Sequence, residues 1–330
     1  MENFLNNKPL NDAIKEMEKK FGKQTFEALN QDNIGVISSG SISLNDAIGI
    51  GGFPKGRIVE IYGNESSGKT TIALQAAKEC INNDGNVAYI DVENALNPKY
   101  ISSLGIDLNK LLIAHPDNGE QAFALIDALL KTNMINLIVV DSVAALVPKQ
   151  EIEGNIQDQS IGLHARMMSK GLRMIQGTIA KSDACVIFIN QIREKVGVMF
   201  GNPEITTGGR ALRFFSSLRL DVRKTELLKE GNEVLGIKSK ISVIKNKMAP
   251  PFKTCFIDIF FDKGFDYFKE IISFAIDYEI ITKSGTWFYF NEIKLGQGKS
   301  QSEKYINDHP DLFKEIKEKV LNKLDEKNSI

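Results

Sequence analysis

Arg57-Ile58-Val59-Glu60-Ile61-Tyr62-Gly63-Asn64-Glu65-Ser66-Ser67-Gly68-Lys69-Thr70 is the stretch that decides how this chain folds. Residues 58–62 form a short apolar run, residues 63–70 fit the pattern GxxxxGK[ST], and helical periodicity begins at Thr70. A strand, a glycine-bounded loop and a helix thus follow one another without a break, the context that this pattern requires. The glycines let backbone N–H groups wrap anionic phosphates at a helix N-terminus. Lys69 can neutralise β- and γ-phosphate oxygens, and Thr70 can offer its hydroxyl to Mg2+. Gly63, Glu65, Ser66, Ser67, Gly68, Lys69, Thr70 and Thr71 are the expected contacts for ATP.

Outward from this loop, short apolar runs alternate with helical patterns. Ile58–Tyr62, Val87–Asp91, Leu137–Asp141 and Ala184–Asn190 read as strands, and their continuous apolar character predicts burial on both faces. Helices are predicted over 70–83, 119–132 and 160–181, with further strands at 215–223, 239–245 and 255–260. The βαβ order predicts an α/β fold, a P-loop NTPase core with a mostly parallel twisted sheet. An N-terminal helix over 10–29 carries Leu10, Ile14, Met17 and Phe21 on one face, which must dock on the core or on another subunit. After Gly264 a helix, two aromatic strands (287–290 and 292–295) and a charged closing helix predict a small α/β C-terminal domain. The expected divisions are 1–30, 31–265 and 266–330.

Asp141 ends an apolar strand at the edge where open α/β sheets hold ligands, and is the expected partner of Thr70 in holding Mg2+ through water. Hydrolysis needs a base to orient and deprotonate water in line with the γ-phosphorus. Glu93, just past the strand Val87–Asp91, is the candidate, with Asp91 its rival. Asn190 and Gln191 put amides on the same edge, where one can detect a γ-phosphate by hydrogen bonding. Two long stretches without clean periodicity, Ile192–Gly209 and Pro148–Ile161, leave strands at that edge and read as functional loops. Seven of the eight arginines fall within 166–223, where planar forks suit bidentate phosphate contact.

At this point the chain resembles the bacterial RecA recombinase family along nearly its whole length. The resemblance is carried by Val59–Thr70, Val140-Asp141-Ser142-Val143-Ala144-Ala145-Leu146, Asn190-Gln191-Ile192-Arg193, Val198-Met199-Phe200-Gly201-Asn202-Pro203 and Lys245-Asn246-Lys247. It implies an ATP-dependent filament on single-stranded DNA that aligns a homologous duplex and exchanges strands. It assigns Glu93 as catalytic base, Gln191 as γ-phosphate sensor and Tyr100 as the platform for adenine, with Asn97 nearby. Lys245 and Lys247 would reach the γ-phosphate held by a neighbouring subunit. Segments 154–162 and 192–207 look like the two DNA loops, with Arg166, Arg173, Arg193 and Arg210 near the phosphate backbone. Val196 and Phe200 are candidates for an apolar wedge between bases, Phe200 alternatively bridging Gln191 to the next subunit. Lys283 and Lys299 match positions that attract duplex DNA. A self-cleaving repressor in the DNA damage response and loader proteins are left open as further partners. Asn64, Asn97 and Asn155 stand where the family usually has proline, aspartate and glutamate, and the ending from Lys314 lacks a long acidic tail, which predicts weaker self-inhibition of duplex binding.

Composition narrows the alternatives. A net charge of −1 means that any nucleic-acid binding comes from a local basic surface. No apolar run approaches 18 residues, and the beginning lacks a secretory pattern, so a cytoplasmic protein without membrane contact is expected. Cys80, Cys185 and Cys255 sit among apolar neighbours and read as core residues. A non-catalytic ATP-switched DNA scaffold is disfavoured by Glu93 and the two lysines. A hexameric motor on the same core fold is disfavoured by the N-terminal helix and the C-terminal domain.

Overall fold

A computed structural model of the chain describes residues 8–22, 34–155, 162–194 and 204–328. They belong to two compact units, Met1–Ile34 and Gly35–Ile330. The first contains one helix, Lys8–Phe21, which ends where Gly22 enters the left-handed region at φ 104°. Residues 23–29 of the expected helix lie outside the described residues.

The second unit is built on a sheet of β3 (Arg57–Gly63), β4 (Val87–Asp91), β5 (Leu111–Ala114), β6 (Leu137–Asp141), β7 (Cys185–Glu194), β9 (Leu218–Glu230), β10 (Glu233–Asn246), β11 (Thr254–Phe260) and β12 (Gly264–Phe265). A short pair, β1 (Val36–Ile37) and β2 (Phe53–Pro54), stands apart, and β8 (Glu204–Thr206) pairs only with β7. The order is β12-β11-β10-β9-β3-β7-β6-β4-β5. From β9 to β5 every pairing is parallel, whereas β10, β11 and β12 add on antiparallel.

Successive residues of the central strands enter opposite hydrophobic clusters, as a pleated strand requires. Val59, Ile61, Ile187 and Ile189 pack with the helix Lys69–Asn82, while Ile58, Val186 and Phe188 pack with the helices Gly119–Lys131 and Leu163–Ile179. Burial on both faces explains why these strands read as unbroken apolar runs. Each such side chain contributes about 1.5–3 kcal/mol on leaving water. The three cysteines are buried in this core.

Three expectations need correction. β5 carried no strand signal, because it is a four-residue edge strand with Leu112 and Ile113 exposed. The segment Ile192–Gly209 is not a plain loop: β7 runs on to Glu194 and pairs with β8 antiparallel, Ile192 opposite Thr206 and Glu194 opposite Glu204. Two facing glutamates would repel, but Arg223 takes both oxygens of Glu204 at 2.6 Å and also binds Asp221, fixing the ribbon to β9. The stretch after Pro148 begins with a short helix, Lys149–Glu153.

The C-terminal elements are the helix Tyr267–Asp277, a three-stranded antiparallel sheet of β13 (Ile281–Ser284), β14 (Trp287–Phe290) and β15 (Ile293–Gln297), and the helices Gly298–Asn307 and Pro310–Asn328. β13 and the helix Gly298–Asn307 add to the expected two strands and closing helix; three of the four residues of β13 are exposed, which hides its period. This module has its own hydrophobic cluster, centred on Ile271, Phe290, Ile306 and Ile316. Its Glu270 carboxylate accepts from the Ser41 hydroxyl at 2.7 Å and the Ile42 N–H at 2.8 Å, capping a helix of the core. No helix among the described residues is long and apolar enough to cross a membrane.

Candidate nucleotide and DNA site

β3 ends at Gly63, level with Gln191 of β7 and Val222 of β9. The chain then turns through Ser66 at φ 55° and Gly68 at φ 95° before the helix Lys69–Asn82 begins. Gly68 has a left-handed backbone that favours glycine, and a Cβ there would lie 2.3 Å from Ile259 Cδ1 and displace that side-chain end. No side chain caps this helix, which leaves its N-terminal N–H groups to a ligand. The Ser67 hydroxyl is buried without a partner, and Lys69 Nζ rests 2.7 Å from the Asn64 carbonyl, folded back over its own loop. An unpaired donor, free N–H groups and a cation inside one loop fit a polyanionic phosphate. Burial lowers the Lys69 pKa, opposed by Asp141, Glu93 and Glu65.

Asp141, at the end of β6, accepts from Thr70 Oγ1 at 2.9 Å and from the Tyr89 hydroxyl at 2.7 Å. Burial raises its pKa, and those two hydrogen bonds oppose the rise. Thr70 and Asp141 are thus already in contact, as a shared Mg2+ requires. Among the described residues no group of three or more His, Cys, Asp or Glu could hold a metal. A magnesium ion here would draw its remaining ligands from phosphate and water, its usual preference.

Glu93 is exposed just past β4. Its Oε1 receives the Ser142 hydroxyl and lies 3.4 Å from Gln191 Nε2. Gln191 Oε1 in turn receives Arg193 at 3.3 Å. Asp91 is buried and accepts the N–H groups of Ala95 at 3.2 Å and Leu96 at 3.1 Å, so it shapes the turn that presents Glu93. The Tyr100 hydroxyl meets Thr71 Oγ1 at 2.7 Å. Asn97 caps the helix Pro98–Ser103 through its side-chain carbonyl, and Asn and Asp are equally good caps.

Lys245 and Lys247 lie elsewhere. Lys245 pairs with Arg219, which pairs with Glu60, three residues before Gly63 and two strands away. That is roughly 10 Å back along the sheet and about 10 Å across it. Lys245 Nζ donates to the carbonyls of Arg213 and Phe214 at 2.8 and 3.0 Å. Its pKa is lowered to about 8, by burial first and then by Lys247 and Arg219.

Arg166, Arg173, Arg193 and Arg210 are all exposed, as are Lys283 and Lys299. Lys299 donates to Ser273 at 3.0 Å, and Lys283 stands over the Phe288 ring. Val196 and Phe200 lie outside the described residues, as do 156–161 and 195–203 of the two expected loops. Arg219 and Arg223 serve inside the fold, paired with Glu60 and with Glu204 and Asp221. Ser142 and Tyr89, which hold the two carboxylates, carry no signal of that role in the sequence. Glu60 does carry one, as a lone charge inside an apolar strand.

Two family models cover almost all of the chain: the RecA N-terminal domain matches residues 8–266 and the RecA C-terminal domain matches residues 269–325. The chain belongs to the RecA family. Protein RecA of Malacoplasma penetrans (strain HF-2) is 62% identical over 328 residues, covering 99% of this chain and 100% of that protein. Protein RecA of Mycoplasma mycoides subsp. mycoides SC is 53% identical over 325 residues, covering 98% and 94%. The crystal structure of the RadB recombinase shares the fold, with a TM-score of 0.52 at 23% identity over 69% of this chain and 97% of that one.

Proposed function

We propose that this RecA-family chain is a DNA-dependent ATPase that forms a filament on single-stranded DNA and catalyses homologous pairing and strand exchange in recombinational repair. The observation that carries the reading is the hydrogen-bonded row of Glu93, Gln191 and Arg193 beside the phosphate loop, which suits a base, a sensor and an arginine for DNA in that order.

In this reading Gly63, Glu65, Ser66, Ser67, Gly68, Lys69, Thr70 and Thr71 hold the phosphates of ATP, and Tyr100 with Asn97 borders the adenine. Thr70, and Asp141 through water, would hold Mg2+, which would supply charge neutralisation on the phosphate oxygens. Glu93 accepts the proton of the attacking water, whose direction Ser142 helps set by fixing one carboxylate oxygen. Gln191 exchanges its bond to Glu93 for one to the γ-phosphate, which draws the β7–β8 ribbon with it. Lys245 and Lys247 act on the nucleotide of a neighbouring subunit, since their own phosphate loop lies at the opposite edge of the sheet. Arg166, Arg173, Arg193 and Arg210 contact the DNA backbone, with Val196 or Phe200 between bases, and Lys283 and Lys299 receive the duplex. The parts 1–30, 31–265 and 266–330 divide subunit docking, catalysis and duplex contact. Acting on DNA, the protein works in the cytoplasm, where a self-cleaving repressor and loader proteins would meet the filament.

The test is ATP turnover by the wild type and by Glu93→Gln, with and without single-stranded DNA, at two salt concentrations. Turnover should rise with DNA and fall by about 10²–10⁴ in Glu93→Gln while DNA binding survives. Four arginine contacts predict a log–log salt slope of about −3 for binding. Turnover indifferent to DNA would sink the recombinase reading and leave only a nucleotide site.

A further inference from the structure

A row of buried polar side chains crosses the sheet between the two ends of this reading. Thr207, on the return of the β7–β8 ribbon, donates its hydroxyl to Asn190 Oδ1. Asn190 Nδ2 donates to the Thr207 carbonyl at 3.1 Å and to Glu60 Oε1 at 2.9 Å, and its Oδ1 also accepts the Gln191 N–H at 2.9 Å. The amide therefore uses both donors and both acceptor positions. Glu60 Oε2 accepts from Arg219 Nε, and the Arg219 guanidinium lies 4.6 Å from the centre of the Tyr62 ring. Asn190 and Glu60 are fully buried and Arg219 nearly so. Arg219 then stands in register with Lys245 on the next strand.

A buried ion pair is a poor means of stabilising a sheet, because apolar residues of the same volume do as well or better. Its removal from one side only leaves a bare charge in the core, so the row behaves as one unit. One end of that unit is fastened to the backbone of Gln191; the other, Arg219, is in register with Lys245 and repels its ammonium.

Resting on the assignment of Gln191 and Lys245 above, we infer that Glu60 and Arg219 are positioning residues that tie the γ-phosphate sensor of one subunit's site to the lysine that serves the neighbour's. Motion of Gln191 and the ribbon towards nucleotide and DNA pulls on Asn190. Glu60 and Arg219 transmit that pull to the far edge, where the charged groups around Lys245 are Lys247, Arg219 and Arg213 on one side of the balance and Glu60 on the other. Consecutive sites along a filament are then coupled through a rigid polar path, not through a loop.

The charges give the test a sign. Glu60→Gln removes the one acidic neighbour and leaves Arg219 uncompensated, so the Lys245 ammonium becomes more acidic. The double variant Glu60→Leu with Arg219→Met removes both charges at similar volume and folds even where the single one does not. It relieves Lys245 of the larger influence, Arg219, so the ammonium becomes less acidic. The measurement is the pH profile of DNA-stimulated kcat/KM for the full-length protein, beside ATP KM, with Lys245→Gln as reference.

The alkaline limb should move to lower pH in Glu60→Gln and to higher pH in the double variant. DNA-stimulated kcat should fall about tenfold in both, with KM for ATP within about twofold. Structural damage alone would not shift the limb in opposite directions. Wild-type profiles and rates in the double variant overturn the inference while the functional reading stands. Wild-type turnover in Lys245→Gln overturns the reading of that lysine, and the inference with it.

Discussion

The two edges of the central sheet are built on opposite electrostatic plans. Where β3, β4, β6 and β7 end, the chain gathers unpaired N–H groups, one buried lysine and the carboxylates of Asp141 and Glu93, a set that fits a triphosphate with its metal. At the other edge Lys245 leans on two backbone carbonyls beside Lys247, Arg213 and Arg219, so cations crowd together with one acidic group among them. The first edge has a cradle and little free positive charge; the second has positive charge and no cradle. Each looks like half of a site, and within one chain roughly 10 Å of strand separates them. With Lys245 and Lys247 acting on a neighbour's nucleotide, as proposed above, catalysis would need two copies stacked head to tail, a heterologous contact that makes filaments when the rotation does not close.

The largest effect to expect comes from splitting the halves between chains. Glu93→Gln spoils the cradle edge and Lys245→Gln the cationic edge, and each alone should lose DNA-stimulated turnover by about 10²-fold or more. Mixed in equal amounts they should recover turnover, because about a quarter of the random interfaces join an intact Glu93 to an intact Lys245. A chain carrying both substitutions, mixed with neither partner, should stay inactive. Absence of recovery on mixing, with both variants still binding DNA, would show that the lysines serve their own chain and would collapse the comparison.

Much of the cradle edge was legible in advance because its chemistry is consecutive in the chain. Residues 63–71 are one turn and one helix start, and Glu93, Asp141 and Gln191 each lie at or within a few residues of an apolar run that marks a strand end. The cationic edge was not legible as an edge. Lys245 sits in β10 and Lys247 just past the end of that strand, whose register with β9 has bulges on the way and brings Lys245 opposite Arg219. The partners of Glu60 were hidden because Asn190 and Arg219 are 130 and 159 residues away. Edge strands such as β5 and β13 escaped because half-exposed positions blur the apolar period.

A second substitution strains the cradle at its first residue, Gly63, by a single methyl group. A Cβ on Gly63 would lie 2.0 Å from the Val222 carbonyl oxygen, a backbone atom of the neighbouring strand that no rotamer change can move. Gly63→Ala should therefore force β3 and β9 apart and cost about 3 kcal/mol or more, read as a drop in the denaturant midpoint. Because β9 also carries Arg219, the damage should reach the cationic edge as well. A midpoint unchanged within about 0.5 kcal/mol would mean that the strands part freely at Gly63, and the sheet could not then hold its two edges in fixed relation.

The smallest effect concerns Asn97, which stands where the family usually has aspartate. Its side-chain carbonyl accepts from the N–H of Lys99 at 2.9 Å and of Tyr100 at 3.4 Å, so what it supplies is a helix cap and thereby the position of Tyr100. An aspartate oxygen accepts those bonds equally well, and its charge at a helix N-terminus adds a few tenths of a kcal/mol at most. Asn97→Asp should accordingly leave stability within about 0.5 kcal/mol and KM for ATP within about twofold. Asn97→Ala, which removes the cap, should cost about 1 kcal/mol and raise KM by loosening Tyr100. If Asp instead tightens ATP binding tenfold while Ala leaves it untouched, a carboxylate at position 97 reaches the base directly, and the adenine side of the cradle is set by contact and not by the capped helix.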